Sequence, residues 1–68
     1  MKVSKTKIDI LMARKQVTIK EICEKSGMPM ETFKQARIGK RNPKPATVGR
    51  IAAALGVDVT EIIDMEGA

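Results

Sequence analysis

The sequence predicts a compact all-α domain, and three observations carry that prediction. Apolar residues recur three and four positions apart in successive windows, the spacing of one helix face. Each window is opened by a cap residue or a proline, or closed by a glycine. The third observation is composition: of 68 residues one is aromatic, Phe33, and Tyr and Trp are absent. A core with one ring is built from Ile, Leu, Val, Met and Ala, which suits packed helices. No segment shows the apolar–polar alternation of a strand.

The elements follow in chain order. Ser4 can cap a first helix, whose face is Ile8, Leu11 and Met12 and which runs to about Lys15. Thr18 and Glu21 form a capping box at the start of a second helix, with Val17 and Ile22 at the hydrophobic-staple positions. Gly27 is the expected left-handed stop of this helix. Pro29, with its fixed φ, opens a third helix over residues 29–38. Phe33 and Ala36 face inward there and Gly39 ends it. Residues 40–44 make a loop, because Asn42-Pro43 breaks any helix. Pro45 opens a fourth helix with Val48, Ile51, Ala52 and Leu55 as its buried stripe and Gly56 as its stop. Val57, Asp58, Glu61 and Ile62 repeat the staple and box, which predicts a fifth helix through Ile63. The whole is one domain, 1–68, with its core at about 4–64, in the size range where a domain is marginally stable.

Charge layout says more than the net value of +5. Residues 1–20 carry six cations and one acid. Residues 32–57 carry Lys34, Arg37, Lys40, Arg41, Lys44 and Arg50 and no acid, after which come Asp58, Glu61, Asp64 and Glu66. A cationic middle with an anionic end is the electrostatic footprint of a polyanion binder. Little supports an enzyme: His is absent, Cys23 has no base, and no glycine loop could cradle phosphates. No cofactor, metal or small-molecule ligand is expected. The lone Cys23 excludes an internal disulfide and reads as core filler. No apolar run reaches membrane-span length and no signal-peptide core opens the chain, so a soluble cytoplasmic protein is expected.

The second and third helices, joined across Gly27-Met28-Pro29 and followed by Gly39-Lys40-Arg41-Asn42-Pro43, have the order of a helix-turn-helix with its phosphate-binding cations. Residues 8–63 resemble the Cro-type, lambda-repressor-like helix-turn-helix domain of the XRE family. The resemblance rests on Ile22-Cys23 followed by Gly27, on Gly39-Lys40-Arg41-Asn42-Pro43, on the string IAAALGV at 51–57 and on Glu61-Ile62-Ile63. It implies a five-helix fold in which the third helix enters the major groove, while the loop after it and the start of the second helix touch phosphates. Cys23 stands where the family usually has a small residue. Ile19 stands where a polar residue, typically Gln, holds a phosphate, which leaves Thr18 or Lys20 as substitutes. Arg37 stands in place of a frequent Glu, adding positive charge and removing a possible intramolecular ion pair. Met30 replaces a usually polar residue.

The expected base-contacting set is therefore Met30, Glu31, Thr32, Lys34 and Gln35, whose polar members offer both donors and acceptors to base edges. The expected phosphate-contacting set is Thr18, Lys20, Arg37, Lys40, Arg41 and Asn42. Two functions stay open. One is a sequence-specific regulator of transcription, a repressor by family analogy, binding double-stranded DNA as a homodimer on a palindromic operator. Its dimer contact is expected near the fifth helix, from Val59, Ile62 and Ile63. The other is a protein-interaction module on the same fold, antitoxin-like or accessory to a mobile element, in which DNA contact is secondary. An apolar third helix would favour the second and a polar, cationic one the first.

Overall fold

The computed structural model describes residues 2–40 and 42–64. They form four α-helices, α1 (Lys5–Lys15), α2 (Ile19–Ser26), α3 (Met30–Arg37) and α4 (Pro45–Leu55), then a 3₁₀ turn, Val59–Glu61. Helix α4 is the central packing element and rests on α2, the 3₁₀ turn and α1, while α3 packs chiefly on α2.

Helix starts follow local chemistry. The Ser4 hydroxyl accepts from the Lys7 backbone N–H at 3.2 Å and caps α1. At α2 both halves of the capping box are present. The Glu21 N–H donates to Thr18 Oγ1 at 3.2 Å, and the Thr18 N–H donates to Glu21 Oε1 at 3.1 Å. Thr18→Ala is expected to cost about 1 kcal/mol in a urea melt. Gly27→Val is expected to cost more. Gly27 has φ +70° with no atom within 4 Å of an added Cβ, so the penalty is backbone strain without a clash. Two unchanged midpoints would mean that these residues do not delimit α2. Pro29 proves to be the cap residue before α3, with Met30 its first helical residue.

The ends of α1, α3 and α4 share one device. After α3 the Gly39 N–H donates to the Ala36 carbonyl and the Lys40 N–H to the Gln35 carbonyl, the paired bonds of a Schellman motif. The same pairing closes α4 at Gly56 and Val57. It also closes α1 at Gln16 and Val17, where Gln16 takes φ 55° without being a glycine. The sequence offered no stop glycine there.

The buried set is wholly apolar among the described residues. It includes the expected Ile8, Leu11, Ile22, Phe33, Ala36, Val48, Ile51, Ala52 and Leu55, together with Cys23, Met28 and Ile62. Val3, one residue ahead of the expected core, is buried as well.

The expected fifth helix is corrected to the three-residue 3₁₀ turn, so the described residues form four α-helices. The capping box at Asp58 and Glu61 does form. The chain then leaves helical geometry at Ile62, at φ −121°, because its carbonyl accepts from the Ser4 N–H at 2.7 Å. Val3 and Ile63 make an isolated antiparallel bridge, and the Asp64 N–H donates to the Lys2 carbonyl at 2.8 Å. Lys7 Nζ adds a bond to the Ile63 carbonyl at 3.1 Å. A helix of one or two turns gains too little to outweigh its nucleation cost, so pairing with residues 2–4 prevails.

Candidate nucleic-acid interface

Helix α3 has two faces. Phe33 and Ala36 anchor it in the core, while Met30, Glu31, Thr32 and Lys34 are exposed and Gln35 is half-buried. The expected base-contacting residues thus share one presented side of a short helix. Gln35 Nε2 donates to Glu31 Oε1 at 3.2 Å, one turn away. This bond orients the Gln35 amide and uses one of its two N–H groups, leaving the other N–H and the carbonyl oxygen for a partner. Met30, 42% exposed, adds an apolar patch at the helix start.

The expected phosphate set is divided by the structure. Lys20 is exposed in the first turn of α2 and Asn42 in the loop after α3, and Lys40 is turned off α3 by the Schellman motif. Arg41 lies outside the described residues. Thr18 is exposed, but its hydroxyl is occupied: it accepts from the Glu21 N–H and donates to Glu21 Oε1 at 3.2 Å.

Arg37 differs most from expectation. Far from removing an intramolecular ion pair, it makes one, with Nη1 2.6 Å from Asp9 Oδ1 on α1. The other carboxylate oxygen of Asp9 pairs with Lys5 Nζ at 2.7 Å. The hydrogen bond from Lys5, with the bond and charge of Arg37, outweighs partial desolvation and holds the Asp9 carboxyl below the usual carboxylate range. Asp9 therefore stays ionised at neutral pH.

An open cleft of about 300 Å³ lies beside α3, lined by Thr32 and Ala36 from α3, by Asn42, Pro43 and Lys44 from the loop, and by Thr47 from α4. It brings one expected base contact, Thr32, next to one expected phosphate contact, Asn42. Lys44 and Thr47 belong to this surface and were missed. Lys44 could have been drawn from the acid-free stretch, whereas Thr47 carries no signal of its own, standing one residue before the buried stripe of α4. Cys23 is buried where α2 meets the core, and burial pushes its thiol pKa up, so the thiolate is disfavoured.

A polar helix presented by a supporting helix and a tight turn, with cations following it, defines a helix-turn-helix nucleic-acid-binding module. The chain belongs to the family of Cro/C1-type HTH DNA-binding domains, which it matches over residues 7–67. Membership makes it a DNA-binding domain of the regulatory type. No curated protein matches the chain. No helix among the described residues is long and apolar enough to cross a membrane.

Proposed function

We propose that this protein is a sequence-specific regulator of transcription, a repressor, that reads operator DNA with α3 in the major groove. The observation that carries this reading is the hydrogen-bonding face of α3, continuous in sequence with residues 32–57, which hold six cations and no acid. Glu31, Thr32, Lys34 and Gln35 read bases, and Lys20, Lys40 and Asn42 hold phosphates. Absence of His and burial of the one thiol support a binding module without catalysis or cofactor. A free buried cysteine also suits a reducing cytoplasm.

The protein acts as a homodimer on a palindromic site, because one eight-residue helix reads only a few base pairs. The surface expected for that contact needs revision. Ile62 is fully buried, and Val59 and Ile63 are half-buried against the core. Among the described residues, the large apolar side chains left exposed are Ile10, Met30 and Ile38.

Selection of bound duplexes from a random pool tests the reading, with two half-sites about one helical turn apart as the expected product. Lys40→Ala is then expected to weaken selected and random duplexes alike and to lower the salt slope by about 0.9. A changed sequence preference with an unchanged slope would remove Lys40 from the phosphate set. A second reading, a protein-interaction module that is antitoxin-like or accessory to a mobile element, is favoured by Met30 and Ile38 exposed at the two ends of α3. Failure to enrich any duplex would select it.

A further inference from the structure

The proposed function asks for α3 to be held within about half an ångström of one placement. Yet α3 has eight residues, two of them buried, and its principal packing is on α2. Its last turn has a second attachment, from Arg37 to Asp9 across 28 positions of sequence. The Arg37 side chain is 19% exposed and its Nε is buried, so the guanidinium lies along the protein and is not projected toward solvent. Asp9 is fixed in turn by Lys5 of its own helix.

We propose that Asp9 is a positioning residue for DNA reading: acting through Arg37, it seats the last turn of α3 on α1 and so contributes to sequence discrimination without touching DNA. This rests on the DNA-reading function proposed above. Geometry and charge make opposite demands here, which gives the idea a sharp sign. An acid in a cationic protein repels phosphates, so removing it by charge alone strengthens binding to every duplex. Removing it also frees Arg37 to join the phosphate contacts. Loss of positioning, by contrast, weakens the preferred site only.

The test compares the parent with Asp9→Asn, Asp9→Glu, Arg37→Gln and the Asp9→Asn/Arg37→Gln double variant. Affinities are measured at one salt concentration for the selected duplex and for a scrambled one, with circular dichroism to set the folded fraction. Asp9→Asn is expected to bind the scrambled duplex as tightly as the parent or more so. Its ratio of selected to scrambled affinity is expected to fall about three- to fivefold, the scale of one partly exposed ion pair. Asp9→Glu is expected to restore most of the ratio, and Asp9→Asn to have no further effect on it in the Arg37→Gln background. A rise by the same factor on both duplexes would make Asp9 an ordinary surface charge and overturn the proposal.

Amide hydrogen exchange on the free protein is an independent measure. Asp9→Asn is expected to speed exchange of the Arg37, Ile38 and Gly39 amides while those of α2 and α4 keep their rates, and equal rates in parent and variant would also overturn it. If the parent prefers no duplex, the DNA-reading function fails by itself, and exchange alone decides whether Asp9 seats α3.

Discussion

Phe33→Ala is expected to destabilise the domain by about 3–5 kcal/mol. A domain of this length holds on the order of 3–10 kcal/mol in total, so the variant should be substantially unfolded at 37 °C. The ring of Phe33 is fully buried and is the largest side chain in the core. Its neighbour on the inner face of α3 is Ala36, which cannot fill the space left behind. Removing the ring therefore forfeits both transfer free energy and packing, and the loss falls on the element that presents the interface. Urea denaturation followed by circular dichroism measures this directly. Phe33→Leu, which keeps most of the volume, should cost about 1–2 kcal/mol. An Ala variant within 1 kcal/mol of the parent would show that α3 is not held through this residue.

Gln35→Ala is expected to lose about 1–3 kcal/mol on the best duplex and much less on random DNA. A Gln amide pairs with an adenine edge through two bonds, one donated and one accepted. The bond from Gln35 Nε2 to Glu31 Oε1 leaves one N–H and the carbonyl oxygen, the pair that such an edge requires. Glu31 thereby orients the Gln35 amide. Both affinities are measured at one salt concentration, since the phosphate contribution otherwise obscures the difference. An equal loss on the two duplexes would remove Gln35 from the base-reading set.

The helix-turn-helix was legible because its signals are local. The Thr18–Glu21 box closes over three residues, and the stops at Gly27 and Gly39 depend on one backbone angle each. The outward face of α3 followed from the inward pair Phe33 and Ala36. Where a residue's partner lay far along the chain, the reading failed. Arg37 is a cation in an acid-free stretch and reads as a phosphate contact, yet its guanidinium meets Asp9 of α1. Ile62 and Ile63 read as continuing a helix and exposing an apolar edge, yet the first is in the core and the second pairs with Val3.

The sequence by itself determined where α1, α2 and α4 begin, where α2 to α4 stop, most of the residues they bury, and that the middle of the chain is cationic. Those features depend on hydrogen bonds and side-chain contacts made within about five residues, so the order of residue types is enough to specify them. Only the tertiary structure decided that the last element is a 3₁₀ turn, that Asp9 and Arg37 meet, and that Thr32, Asn42 and Thr47 line one cleft. Each of these joins segments whose separation no periodicity encodes, and each is settled by how α1, α3, α4 and the two ends of the described chain pack around a core with a single ring.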